Sequence, residues 1–188
     1  CPRLHLPLQS GSDSMLKKMG RGYTMERYLA VVEALRRARP DMALSTDLIV
    51  GFPSETEEEF EDTLKAIDSC GFMSSFSFCY SDRPGTRASA MPFKIPHEVQ
   101  LERLDRLQSL QNERAEAWLR SRVGMTTDVL LEAPSHRQEE GGNEWQGRDP
   151  WGDMVNVRMP EGEGHPGQFV DVNIEKALKH SLKAVPVQ

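Results

Sequence analysis

The feature that most constrains the fold is a change of pattern near residue 123. Before it, strand-like and helix-like segments alternate. After it, short strand-like segments follow one another with glycines between them. Alternating strands and helices are typical of a parallel sheet covered by helices, whereas five short strands in succession are typical of a small all-β barrel. The sequence therefore predicts an α/β domain over residues 1–123 and an all-β barrel domain over residues 124–188.

The first domain contains three predicted strand–helix units, which are too few to close a barrel. The predicted strands cover residues 3–8, 43–50 and 76–80, and the predicted helices cover residues 13–19, 25–39, 57–70 and 97–122. Thr56 and Glu59 have the spacing of a capping box at the start of the third helix, and Gly71 is suited to end it. We therefore expect half of a parallel barrel, with an unpaired strand edge that favours dimers of the fragment.

The strands alternate polar and apolar residues instead of forming continuous apolar runs. In the second strand Leu44, Leu48 and Val50 alternate with Ser45 and Asp47, and in the third strand Phe76 and Phe78 alternate with serines. Successive side chains of a strand point to opposite faces of the sheet. We therefore expect each strand to turn its apolar residues, including these phenylalanines, towards the helices and its polar residues towards a hollow.

The charge of the chain limits how it can bind nucleic acid. Its formal net charge is -6, and residues 124–188 alone carry six Lys or Arg against eleven Asp or Glu. This is the wrong sign for a protein that binds nucleic acid by general electrostatic attraction. Any contact with RNA must therefore be local and specific in shape.

Cysteines and apolar runs exclude further classes of protein. Cys1, Cys70 and Cys79 are far apart and form no CxxC pair, so the sequence predicts no metal site and free thiols in a reducing cytoplasm. No apolar run approaches the roughly 20 residues of a membrane helix. Because the chain begins with Cys1 in a strand-like stretch, we expect it to be part of a larger protein.

Three segments in fixed order carry a resemblance to a known family. They are residues 5–13 (HLPLQSGSD), 47–56 (DLIVGFPSET) and 80–86 (YSDRPGT). Together they closely resemble the methylthiotransferase family of radical S-adenosylmethionine (SAM) enzymes. The last domain resembles a TRAM domain, an RNA-binding β-barrel. The resemblance implies that residues 1–123 form the second half of a partial, TIM-like (β/α) barrel and that residues 124–188 form the TRAM barrel.

The same resemblance implies an activity for the intact protein. This activity is the addition of a methylthio group to C2 of N6-isopentenyladenosine at position 37 of tRNA, in the cytoplasm. The family uses SAM, two 4Fe-4S clusters and an electron donor such as flavodoxin or ferredoxin, and its partner is the tRNA anticodon stem-loop. The cluster-binding cysteines of the family have no counterparts here, so no catalytic or metal-binding residue is expected in this chain, and alone it should be inactive. The alternatives are a methylthiotransferase for threonylcarbamoyladenosine in tRNA or for a ribosomal protein, and a non-catalytic RNA-binding module.

Candidate cofactor-binding residues follow from the resemblance and from their position at predicted strand ends. They are Gln9, Ser10, Ser12, Asp47, Gly51, Phe52 and Arg83. Structural roles remain open for several of them, because Ser12 can cap a helix, Gly51 can serve a tight turn, and Arg83 can form a surface ion pair with Asp82 or Glu55.

Candidate RNA-binding residues in the second domain combine arginine with aromatic side chains, which suits contact with unstacked bases. They are Arg137, Trp145, Arg148 and Arg158, with Trp151 as a further candidate. The alternative for a tryptophan is that it packs inside the small barrel.

Overall fold

The computed structural model describes residues 1–136, 138 and 143–187. The first part contains β1 (Arg3–His5), α1 (Asp13–Lys18), α2 (Met25–Ala38), β2 (Ala43–Val50), α3 (Glu57–Cys70), β3 (Phe72–Cys79) and α4 (His97–Ser121). The second contains β4 (Thr126–Pro134), β5 (Asn143–Arg148), β6 (Met154–Met159), β7 (Phe169–Ala177) and β8 (Leu182–Pro186). Two compact units are formed, one by residues 4–114 and the other by residues 1–3 with 115–188. The predicted fold class, α/β followed by an all-β barrel, is confirmed.

The three-stranded sheet has the order β1-β2-β3, and β2 and β3 pair in parallel. β1 is shorter than predicted and ends at His5. Pro7 has no N–H to donate and interrupts the ladder, and the chain meets β2 again through a single bridge between Gln9 and Leu48. β3 begins four residues earlier than predicted, because the buried Phe72 and Met73 already belong to it.

Local sequence signals set the helix ends as expected. Thr56 and Glu59 form the predicted capping box at the start of α3, and Gly71 ends the helix in a left-handed conformation with φ 60°. Thr24 caps α2, which ends before Pro40. These contacts join residues only a few positions apart, so they can be predicted without the tertiary structure.

The two faces of the sheet follow the prediction in β2 but not in β3. Leu48 and Val50 are fully buried in the core beside the helices, and Asp47 lies on the opposite face. Phe76 is in register with Asp47 and Phe78 with Ile49, and registered residues of parallel strands share a face. The prediction that these phenylalanines face the helices is therefore wrong, and their side chains are 56% and 55% exposed.

The second unit is a closed barrel with the strand order β4-β5-β6-β8-β7, in which only the β6–β8 pairing is parallel. Alternate residues point inwards and fill the interior. The fully buried ones include Val129, Leu131, Val155, Val157, Val172 and Leu182. Among the described residues, each barrel strand therefore pairs on both sides and no strand edge is left open.

A buried ion pair holds the turn between β5 and β6. Arg122 Nη2 donates to Asp149 Oδ2 at 2.9 Å, and the guanidinium lies 3.6 Å from the centre of the Trp151 ring. Asp149 Oδ1 accepts hydrogen bonds from the backbone N–H groups of Trp151 and Asp153. Burial, together with the nearby Asp153 carboxylate, raises the pKa of Asp149 to about 6.

Among the helices in the described part of the chain, none is both long and apolar enough to cross a membrane.

Candidate functional site

A cavity of about 940 Å³ lies in the α/β unit, beyond the carboxyl ends of its strands. This edge of a parallel sheet is where ligands bind in related architectures. Its floor is mostly apolar and aromatic, and it is formed by Gln9, Ile49, Phe52, Phe78 and Tyr80. The volume lies within the roughly 300–1,000 Å³ range of small-molecule sites. Arg83, from the loop after β3, also lines it, so three of the seven predicted cofactor-binding residues share one cavity.

Gln9 occupies an unusual backbone conformation at the cavity wall. Its φ is 76°, in the left-handed region that costs a non-glycine residue about 1–2 kcal/mol. Two hydrogen bonds to β2 hold it there, from its N–H to Asp47 O at 2.8 Å and from Ile49 N to its carbonyl at 2.9 Å. The sheet therefore fixes the backbone of Gln9 at the point where the chain leaves it.

The turn at Gly51 is held from two sides by buried polar side chains. Its N–H donates to Glu55 Oε2 at 2.7 Å, and its carbonyl accepts from Gln100 Nε2 at 3.1 Å. Gly51 has φ 71°, and a Cβ there would lie 2.4 Å from Gln100 Cγ. Only glycine fits this turn without displacing its neighbours, so Gly51 contributes through its backbone, while the adjacent Phe52 lines the cavity.

Glu55 is itself held by a buried ion pair that sequence reasoning missed. Arg103 Nη1 donates to Glu55 Oε2 at 2.8 Å, and both side chains are almost completely buried. Desolvation by burial raises the pKa of Glu55, although Gly51 and Arg103 act in the opposite direction. The partners are 48 residues apart in the chain, so no local pattern could have paired them. The suggested ion pair of Arg83 with Glu55 is therefore not the one that forms.

The ring of Phe52 packs edge-on against Tyr80 with 5.0 Å between ring centres. Tyr80 Oη donates to Asp82 Oδ1 at 2.8 Å, and Lys94 Nζ donates to the same oxygen. The hydrogen bonds from Lys94 and Tyr80 lower the pKa of Asp82. Asp82 is thus paired with Lys94, and Arg83 lines the cavity instead of pairing with its neighbour.

The remaining cofactor candidates do not line the cavity. Ser12 Oγ caps α1 by accepting from Met15 N, and Ser10 Oγ lies 3.3 Å from Thr63 Oγ1 on α3. Asp47 lies on the cavity side of the sheet, where its Oδ1 is 3.4 Å from His5 Nε2. These contacts favour structural roles for the two serines.

The candidate RNA-binding residues of the barrel lie in different environments, one in the core and two on the surface. Trp145 is only 8% exposed, belongs to the barrel core and donates through Nε1 to Asn143 Oδ1. This placement favours the packing alternative for that tryptophan. Arg148 and Arg158 are exposed on β5 and β6, and Arg148 lies 3.4 Å from Glu132. Arg137 lies outside the described residues.

In the part of the chain that the structure describes, no three His, Cys, Asp or Glu side chains come together in a group that could hold a metal ion. Cys70 is buried in the core, where desolvation raises the pKa of its thiol to about 11. Cys1 is exposed and Cys79 half-buried. These residues therefore do not fit an iron–sulfur cluster held by this chain.

Comparison with known proteins identifies both units. The radical SAM superfamily matches residues 1–67, and the TRAM domain matches residues 120–187. A tRNA-2-methylthio-N(6)-dimethylallyladenosine synthase of Lawsonia intracellularis is 55% identical over 187 residues, covering 100% of this chain and 41% of the relative. The protein of the same name from Nitratidesulfovibrio vulgaris (strain Hildenborough) is 56% identical over 98% of this chain and 41% of its own length.

A more distant relative with that name, from Streptomyces viridosporus, is 44% identical over 97% of this chain and 36% of its own length. The chain thus spans about two fifths of the length of the curated relatives it matches. The strand-end cavity and the closed barrel agree with these likenesses: the chain contains a segment that matches the radical SAM superfamily and one that matches the TRAM domain, and it is similar over its length to part of these synthases.

Proposed function

We propose that this chain forms part of a tRNA methylthiotransferase that modifies C2 of N6-isopentenyladenosine at tRNA position 37. The observation that carries the proposal is the 940 Å³ cavity at the strand ends, to which Gln9, Phe52 and Arg83 contribute from three separate segments. The names of the relatives support the choice of substrate. The chain contributes one wall of the SAM cavity and an RNA-binding barrel, and the remaining parts lie in the rest of the relatives' length.

The residues that line the cavity fit the chemical groups of SAM. Its carboxylate matches the planar guanidinium of Arg83, and its adenine matches the aromatic pair of Phe52 and Tyr80. Gln9 supplies an amide that can both donate and accept. When bound, SAM supplies a methyl group and, on reductive cleavage, a radical. The residues of this chain bind and orient it and exclude water with their aromatic side chains.

The iron–sulfur clusters do not fit the described residues of this chain, whose three cysteines lie apart. An electron donor such as flavodoxin or ferredoxin and a cytoplasmic site of action follow from the proposed reaction. The barrel contacts the anticodon stem-loop through exposed arginines such as Arg148 and Arg158, which can pair with phosphates or stack on unpaired bases.

A chimaera tests the proposal directly. In it, this chain replaces the corresponding two fifths of the Lawsonia intracellularis relative, and the protein is produced in a bacterial strain that lacks its own methylthiolating enzymes. Mass spectrometry of tRNA nucleosides is expected to detect 2-methylthio-N6-isopentenyladenosine. Arg83→Gln should reduce product at least about tenfold, the scale of one lost charge-assisted hydrogen bond, and Arg37→Gln, an exposed arginine outside the cavity, serves as the control.

The product also separates the alternatives. Methylthiolated threonylcarbamoyladenosine, without the isopentenyladenosine product, would assign the chain to the sibling enzyme. A soluble chimaera that carries its clusters but modifies neither base would contradict a tRNA-modifying function.

A further inference from the structure

The mouth of the cavity carries an unusual concentration of positive charge. Among the described residues that line it, five are cationic and none has a carboxylate: they are Lys17, Lys18, Arg21, Arg83 and Arg87. The chain as a whole has a formal charge of -6. The local charge is therefore opposite in sign to that of the protein.

The cations come from two segments that are distant in sequence. Lys17, Lys18 and Arg21 lie at and just after the end of α1, and Arg83 and Arg87 lie in the loop that follows β3. Lysines in the last turn of a helix are also favoured by its dipole. That effect does not account for the arginines, which lie outside the helix and line the same cavity.

Most of these charges are available to a ligand. In the described part of the chain, Lys18 is the one member of the group that forms an ion pair, with Glu59 at 3.5 Å. The nearest acidic residue of the second segment, Asp82, is already engaged by Lys94 and Tyr80. Lys17, Arg21 and Arg87 are exposed to solvent.

Aromatic side chains line the same cavity as these cations. Phe78 is 55% exposed and lines the cavity with Tyr80 and Phe52. An exposed aromatic ring that shares a cavity with several cations matches a nucleotide, whose base stacks on the ring while its phosphates contact the cations. A small zwitterion such as SAM needs only one of these cations for its carboxylate.

We propose that Lys17, Arg21 and Arg87 form a phosphate-binding rim that holds the RNA strand on both sides of a base inserted into the cavity. This inference rests on the proposed function, since it names how the substrate RNA reaches the α/β unit. It also explains how an acidic protein binds RNA, because the attraction is concentrated at the cavity mouth and absent from the surface as a whole.

The test measures how RNA affinity depends on salt. A fluorescein-labelled anticodon stem-loop is titrated with the 188-residue chain, and anisotropy gives the dissociation constant at several salt concentrations. The variant is Lys17→Gln, Arg21→Gln and Arg87→Gln combined. Arg83 is left unchanged because it is assigned to the cofactor. The matched control combines Arg37→Gln, Arg39→Gln and Lys65→Gln. These substitutions remove the same number of positive charges, from the C-terminal end of α2 and from α3.

The slope of log K against log salt is negative, and each lost phosphate contact on a single strand reduces its magnitude by about 0.7. The magnitude should therefore be smaller by about 2 in the rim variant. Between 50 and 200 mM salt the unchanged chain should therefore lose roughly 20-fold more affinity than the rim variant does. The control variant should keep the slope of the unchanged chain. Each rim substitution alone should reduce the magnitude of the slope by about 0.7, which keeps the test valid if the triple variant folds poorly by circular dichroism.

The outcomes separate the two proposals. RNA binding with an unchanged slope in the rim variant, or an equal fall in the control, overturns the rim. If the unchanged chain shows no measurable RNA binding, the RNA-binding part of the proposed function fails as well.

Discussion

Replacing Gly11 by alanine tests how closely α3 packs against the strand ends below the cavity. A Cβ at this position would lie 2.3 Å from Asp62 O and 2.7 Å from Thr63 Cα. Ordinary contacts of a Cβ begin at about 3.4 Å, and the atoms it meets belong to the helix backbone. The substitution can therefore be accommodated only if α3 moves away from the sheet.

The expected cost combines three effects. Overpacking a core typically costs about 1–3 kcal/mol. Displacing α3 also weakens the hydrogen bonds of Thr63 Oγ1 with Gly11 N at 3.0 Å and Ser10 Oγ at 3.3 Å, each worth about 1 kcal/mol. In the opposite direction, alanine reduces the conformational entropy of the unfolded chain, which stabilises the folded protein by about 0.4–1 kcal/mol. The net loss of unfolding free energy should be about 3 kcal/mol.

Urea unfolding followed by far-UV circular dichroism measures this loss. Tryptophan fluorescence is unsuitable, because Trp118, Trp145 and Trp151 all lie outside residues 4–114. Gly22→Ala is the matched control, since no atom lies within 4 Å of its added Cβ. It should stabilise the chain by about 0.4–1 kcal/mol. If Gly11→Ala is as stable as the unchanged chain while the control behaves as expected, the close-packing argument is wrong.

Three further changes have predictable effects. Ser54 has φ 66°, so Ser54→Gly should stabilise the chain by up to about 1 kcal/mol in urea unfolding, because relief of left-handed strain exceeds the added entropy of the unfolded chain. A clear loss of stability would contradict this. Glu55→Gln leaves the buried Arg103 without its main partner and should cost about 3 kcal/mol, whereas Glu57→Gln, at a half-exposed carboxylate, should cost less than about 1 kcal/mol. Because the pKa of Asp149 rises from 3.8 to about 6 on folding, its protonated form stabilises the barrel below about pH 4, and this contribution of about 3 kcal/mol is lost as the pH rises through 6, at about 1.4 kcal/mol per pH unit. Thermal unfolding monitored by tryptophan fluorescence should show this pH dependence. Asp149→Asn should reduce it, leaving the part due to Asp153, whose pKa is also raised by burial. Equal dependence in both proteins would refute the assignment.

Much of the fold could be predicted from the sequence because its signals are local. β2 was predicted with its observed bounds, and the ends of α2 and α3 followed from Thr24, Thr56 and Gly71. The change from alternating strands and helices to short strands near residue 123 identified both fold classes. Such patterns reflect the periodicity of buried residues and the hydrogen bonds that helix ends require. Both depend on residues that are close together in the sequence.

The tertiary structure alone decided which side chains meet. The register of β3 against β2, with an irregularity after Leu44, turned Phe76 and Phe78 to the face opposite the one expected. The pairing of Glu55 with Arg103 and the convergence of residues 17–21 with residues 83–87 join segments far apart in the chain. The sequence by itself determined the elements, the family resemblance and a cavity-lining role for Gln9, Phe52 and Arg83 as a hypothesis. The cationic cavity mouth and the buried pair of Glu55 with Arg103 emerged only from the folded chain, because long-range contacts depend on strand register and helix packing, which no local pattern encodes.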